Sequence, residues 1–173
     1  MNVVITGSTQ GIGLGLAREF LRRGHDVMIS SRRPQAVAKV VENLRREWPG
    51  RKVHGCSCDV GVYADAQNLW DTAVKDLGTV DIWVNNAGTE VGKAMFFMQE
   101  PETIAATVQT NLIGMMYCSQ VAIKGMYKQP AGGKIFNMEG FGSNGMVRPA
   151  VSVYGSTKRA LRHFTKSMAA ELQ

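Results

Sequence analysis

A chain of 173 residues, 45% hydrophobic and with 19 glycines, is long enough for one domain with a sizeable core, and its composition indicates neither disorder nor low complexity. The formal net charge is +6, but the basic residues come in dispersed pairs (Arg22-Arg23, Arg32-Arg33, Arg45-Arg46, Arg51-Lys52), which excludes a nucleic-acid tail or patch and leaves a solvated basic surface or a local attraction for an anionic ligand. No apolar run reaches the ~18 residues that span a bilayer, and Cys56, Cys58 and Cys118 fit no zinc pair, so they read as buried thiols of a reducing compartment.

Met1 to Thr6 is a short apolar run that predicts a buried strand. No signal or transit peptide is expected ahead of it, although a trimmed N-terminus would look the same. The run leads into Gly7-Ser8-Thr9-Gln10-Gly11-Ile12-Gly13. Leu14, Leu16, Ala17, Phe20 and Leu21 then recur at helical spacing until Gly24. Val27 to Ile29 is the second strand, and Pro34 opens a charged amphipathic helix that Pro49-Gly50 breaks. Val53 to Cys58 is the third strand, followed by a helix from about Tyr63 to Leu77. Val80 to Asn85 is the fourth, ending in Asn86-Ala87-Gly88. Thr89 to Pro101 reads as loop, and one long helix is expected from about Glu102 to Lys128. Lys134 to Met138 is the fifth strand. A loop containing Gly140, Gly142 and Gly145 leads to the last helix, Val153 to about Leu172.

Strands alternating with helices predict right-handed βαβ units, hence an α/β fold with a doubly wound parallel sheet. Residues 1–173 read as a single domain without linker or repeat. The fifth strand would be an uncovered edge, so one or two C-terminal strands are expected to be missing.

Four stretches carry chemistry. The glycines at 7, 11 and 13 do not form G-x-G-x-x-G, since Leu16 stands where the third glycine would fall. They still permit a tight turn, close approach to a pyrophosphate, and unsatisfied N–H groups at a helix start. The second strand ends in Ser30-Ser31-Arg32-Arg33 with no carboxylate to accept from a ribose 2′-hydroxyl. Guanidinium and hydroxyl groups suit a 2′-phosphate, so NADP(H) is expected on Ser31, Arg32 and Arg33, unless both arginines simply face solvent. Asp59, with Val60, meets the adenine edge or serves as a turn or helix-capping residue. Asn86, Ala87 and Gly88 lie at the carboxyl edge of the sheet, where small residues let a flat ring approach backbone.

Asn111 is disfavoured inside a helix. It either holds a water beside the site or is a surface or capping residue. Tyr154 and Lys158, four residues apart, share a helix face. The ammonium is expected to lower a phenol pKa that is ordinarily near ~10. Such a phenol exchanges the proton that accompanies a hydride.

These motifs, in this order and at these separations over the whole chain, resemble the short-chain dehydrogenase/reductase family. The resemblance implies a Rossmann-type sheet whose final strands are absent from this sequence, and an NAD(P)-dependent oxidoreductase acting on CH–OH or C=O groups. It implies Tyr154 as the proton donor and Lys158 as the group that lowers its pKa and binds the nicotinamide ribose. It also implies Asn111 as the anchor of a water relaying protons to Lys158.

The blocks Met1 to Gly7, Asp81 to Thr89 and Ile135 to Ser143 look like the chlorophyll(ide) b reductases of plants and algae. Those enzymes reduce a 7-formyl group to 7-hydroxymethyl with NADPH or ferredoxin in chlorophyll breakdown. The stroma-exposed partner of a membrane-bound form is the most similar. This implies a chlorophyll pigment as small-molecule substrate and the light-harvesting antenna as a partner. The implied location is the chloroplast, at the stroma or thylakoid surface (cytoplasmic otherwise). A homo- or hetero-oligomer would form through the two long helices, whose Met115, Met116, Leu161 and Phe164 would serve core packing equally well.

One departure stands out. The family's usual catalytic serine position falls on Phe141, or on Gly140 if one residue is inserted, and neither has a hydroxyl. Ser143 is the nearest substitute for orienting a carbonyl oxygen, or is an ordinary loop serine. Two other readings stay open: a short-chain reductase of a 3-oxoacyl or ketone substrate, and a non-catalytic NADP(H)-binding scaffold.

Overall fold

A computed structural model describes residues 1–90 and 94–172; within the expected loop from Thr89 to Pro101, residues 91–93 lie outside the described part. Five parallel strands form one sheet in the order β3-β2-β1-β4-β5. They are β1 (Asn2–Ile5), β2 (Asp26–Ser31), β3 (Val53–Ser57), β4 (Ile82–Asn85) and β5 (Lys134–Asn137). The helices are α1 (Gly11–Arg22), α2 (Pro34–Glu47), α3 (Tyr63–Leu77), α4 (Pro101–Val108), α5 (Gly114–Met126) and α6 (Ser152–Glu171).

Side chains alternate across each strand, and both faces of the sheet are covered, as parallel sheets require. Val3, Ile5, Ile82 and Val84 face α1 and α2, meeting Ala17, Leu21, Val37, Val41 and Leu44. Val4, Met28 and Trp83 face the other way, toward Leu69, Trp70 and Ala73 of α3 and Cys118, Val121 and Ala122 of α5. The indoles of Trp70 and Trp83 stack there, with centroids 6.0 Å apart. All three cysteines are free and buried, and burial raises the thiol pKa of each.

The expected long helix runs without a gap from Pro101 to Met126, but not as uniform α-helix. A π-helical turn, Gln109–Ile113, separates α4 from α5, and a short 3₁₀ turn, Phe96–Met98, sits in the preceding loop. Such a turn inserts one residue into the helical repeat and re-aims the side chains on it. Strand order reverses between β1 and β4. In an open α/β sheet that reversal leaves a crevice at the carboxyl ends of the strands. Among the described residues no helix is long and apolar enough to cross a membrane.

Candidate active site

The crevice is built first by the turn after β1. Gly7 (φ 63°) and Gly11 (φ 55°) take left-handed backbone that only glycine adopts freely. A Cβ on Gly7 would lie 2.8 Å from Ala87 Cα, whereas one on Gly11 would meet nothing within 4 Å. Gly7 is therefore required by packing, and Gly11 leaves open space at the start of α1. Asn86 locks the two loops together. Its side-chain amide donates to the carbonyls of Thr6 (2.9 Å) and Gly7 (3.0 Å). The N–H groups of Asn86 and Ala87 both donate to Thr6 Oγ1 at 3.0 Å.

The result is a cleft of about 730 Å³ that brings together Gly7, Thr9, Gln10, Gly11, Ile12, Gly13, Ser31, Arg32, Arg33, Val60, Asn86, Ala87 and Gly88 from the sequence motifs, and is lined also by Cys58, Thr89 and Thr110. The first two additions adjoin motif residues in the sequence. Thr110 adjoins Asn111, and nothing local marks it as facing the cleft.

A dinucleotide carrying a 2′-phosphate fits these groups. The Ser31 hydroxyl is buried with no hydrogen-bond partner among the described residues. Arg32 and Arg33 are exposed beside it, and neither is in an ion pair among the described residues. The open point at Gly11 faces α1's unsatisfied N–H groups, which suit a pyrophosphate.

One expected contact is corrected. Ser8 is fully buried; its hydroxyl donates to Ile5 O (2.7 Å) and accepts from Ser30 N–H (2.9 Å). It ties the first turn to β2 and does not line the cleft. Asp59 accepts from Gly61 N–H at 2.9 Å through Oδ1, the turn role that is its alternative reading in the sequence, while its neighbours Cys58 and Val60 face the cleft.

The second half of the site lies beyond Gly88. A Cβ there would sit 3.4 Å from Asn111 Oδ1 and 3.6 Å from Lys158 Nζ. Asn111 is buried, and the π turn aims its amide at the backbone of Thr89. Oδ1 accepts from Thr89 N–H (2.7 Å), while Nδ2 donates to Thr89 O (2.8 Å) and Thr157 Oγ1 (3.3 Å). Asn111 thus joins the loop after β4, the π turn and α6, and is no surface residue.

Lys158 is buried, donates to Met138 O at 3.0 Å, and places Nζ 5.7 Å from the Tyr154 ring centroid. The expected direction of the phenol pKa is overturned. Burial, and then the Glu90 carboxylate, push Tyr154 up. The ammonium points at a carbonyl and does not offset them. Burial pushes Lys158 itself down.

Ser143 is buried in the loop after β5. Its N–H donates to Gly140 O (3.1 Å) and its carbonyl accepts from Arg159 Nη1 (3.0 Å). Phe141 lies under the Arg148 guanidinium, 5.0 Å from the ring centroid. Of the residues expected at a helix interface, Met115 and Leu161 are buried within this single chain, so packing uses them here.

A nucleotide-sized crevice at a strand-order reversal, with buried Asn111 and Lys158 and half-buried Tyr154 beyond its Gly88 end, defines a Rossmann-type oxidoreductase site. The model of the short chain dehydrogenase family matches residues 1–173, and the chain belongs to that family. Within it the chain is 43% identical, over 173 residues, to the chlorophyll(ide) b reductase NOL of Oryza sativa subsp. japonica, covering 99% of this chain and 50% of that one. It is also 43% identical to the probable chlorophyll(ide) b reductase NYC1 of Arabidopsis thaliana, covering 99% and 38%. The chain thus spans half or less of the length of these curated relatives. Among solved structures, a gluconate 5-dehydrogenase from Burkholderia cenocepacia in complex with NADP and tartrate superposes with TM-score 0.89 at 32% identity, over 98% of this chain and 65% of that one. A short chain dehydrogenase from Mycobacterium smegmatis, 24% identical, shares the fold with TM-score 0.92 over 98% and 69%.

Proposed function

We propose that this chain is the cofactor-binding and catalytic part of an NADPH-dependent carbonyl reductase whose substrate is the 7-formyl group of a chlorophyll(ide) b, giving the 7-hydroxymethyl product in chlorophyll breakdown. The observation that carries the reading is the 42–43% identity to the chlorophyll(ide) b reductases of rice and Arabidopsis over nearly the whole chain. Those relatives are named as chloroplastic, which favours a chloroplast location, at the stroma or thylakoid surface. Association with the light-harvesting antenna and an oligomer through the long helices belong to the same proposal.

NADPH, when bound, supplies the hydride. Gly7 and Thr9 to Gly13 would hold its pyrophosphate, Ser31, Arg32 and Arg33 its 2′-phosphate, and Asn86 to Gly88 its nicotinamide side. Tyr154 gives its proton to the carbonyl oxygen as negative charge develops there. Its raised pKa keeps it in the acid form that reduction consumes. Lys158 would hold the nicotinamide ribose and replenish the phenol. One lone pair of Asn111 Oδ1 remains for a relay water. The Ser143 hydroxyl orients the oxygen.

The full-length protein is assayed with NADPH and a formyl chlorophyllide. Wild type should yield the hydroxymethyl product, and Tyr154→Phe should lose about 10²–10⁴-fold in turnover. Wild-type-like turnover in that variant would sink the mechanism. Reduction of a 3-oxoacyl thioester or ketone but not the formyl pigment would move the substrate. Tight cofactor binding without NADPH consumption across all of them would establish a scaffold.

A further inference from the structure

Gly140 stands where the loop after β5 passes the side chain of Tyr154. Unlike Gly142 (φ 95°) and Gly145 (φ 92°), it is outside the left-handed region, so its backbone accepts any L residue. What it lacks is room. A Cβ on Gly140 would overlap Tyr154 Oη and lie 3.2 Å and 3.3 Å from Lys158 Cε and Cγ. The phenol oxygen beside Lys158 occupies the place a side chain at 140 would take.

The loop is held at that distance from α6 by contacts of its own. At Gly142 a Cβ would lie 2.6 Å from Gly155 Cα and 2.9 Å from Gly155 O, so loop and helix meet backbone to backbone. The bonds from Ser143 N–H to Gly140 O and from Arg159 to Ser143 O fix the next turn. The seat at 140 and the hydroxyl at 143 therefore belong to one rigid turn clamped on the helix that carries Tyr154.

We propose that Gly140 is a positioning residue for Tyr154: the volume left by its absent side chain is the seat of the phenol oxygen, and the hydroxyl that works beside it comes from Ser143 and not from residue 140. This rests on Tyr154 being the proton donor. Any side chain at 140 displaces the end of Tyr154. That costs the fold little, because the far end of a side chain can swing away and φ is unstrained. It costs catalysis much, because a misplacement of about 1 Å in a reacting group is worth about 10²-fold.

The test, in the full-length protein, pairs a readout that needs no substrate with turnover. The Tyr154 phenol, which Lys158 and the Arg148-paired Glu90 face, is titrated by phenolate absorbance as the difference between each protein and its Tyr154→Phe counterpart. In Gly140→Ala the titration should move toward the ordinary tyrosine value as the ring leaves its seat. Tm should stay near wild type, kcat should fall about 10²-fold, and the KM for NADPH should hold. Gly140→Ser should behave alike and should not rescue Ser143→Ala. An unmoved titration, wild-type kcat in either variant, or rescue of Ser143→Ala by Gly140→Ser overturns the proposal. A wild type that reduces no carbonyl, with the titration still moved by Gly140→Ala, would instead sink the carbonyl-reductase reading and leave the seat standing.

Discussion

Lys158 shows how much one buried cation can reveal. Four-residue spacing puts it beside Tyr154, but burial and the Met138 carbonyl decide its chemistry. Its pKa is depressed in the folded protein relative to about 10.4 in the unfolded chain. Between those two values the unfolded chain binds more protons, so stability rises with pH across that window. Below the folded value the full penalty of burying the charge applies. Lys158→Met removes the titration. The difference in unfolding free energy, wild type minus variant, should therefore climb as pH rises toward about 10.4, measured by denaturant titration at several pH values. A flat difference would show that Lys158 is not a desolvated cation. Asn111 carries a parallel lesson. An asparagine that costs helix propensity is retained here with both ends of its amide bonded to the backbone of Thr89.

At the scale of elements, the packing of α5 on α3 sets where the π turn and its asparagine stand. Gly125 is the closest point of that contact: a Cβ there would overlap the Trp70 indole, and Trp70 is backed by Trp83. In an exposed helix Gly→Ala stabilises by about 1 kcal/mol. Here the sign should reverse, with Gly125→Ala losing about 1–3 kcal/mol through overpacking. That loss should lower Tm by several degrees in a chain of this size. A thermal melt with an unchanged or raised Tm would mean that Trp70 has room to move. The long helix expected over about 102–128 is present over 101–126, but its π turn was not legible because hydrophobic periodicity does not register a single inserted residue.

For the molecule as a whole, the sheet has two open sides among the described residues, β3 and β5, each paired with one neighbour only. β5 carries the greater liability. Phe136 is 53% exposed on it, and an exposed apolar edge is a template for pairing with other chains. Phe136→Lys in residues 1–173 should reduce self-association, read as light scattering at rising concentration, with far-UV circular dichroism unchanged. Equal scattering from both proteins would place the association surface elsewhere.

The five strands, their order of appearance, the glycine turn and the Tyr154–Lys158 pairing were all legible in the residues, because each rests on a short-range rule: alternation, helical period, or a turn that needs glycine. Strand boundaries shifted by a residue or two, and the parallel sheet followed from the alternation of elements. Other features depended on segments far apart in the chain. Asn86 grips Thr6 across 80 residues, Ser8 is spent on β2, and Thr110 is rotated into the cleft. Burial, then Glu90, raises the Tyr154 phenol pKa, and the empty volume at Gly140 is defined only by what α6 brings against it. Local pattern fixes which groups are present and on which element. Desolvation and close contact, which exist only once the chain has packed, decide which of those groups face the cleft and in what protonation state.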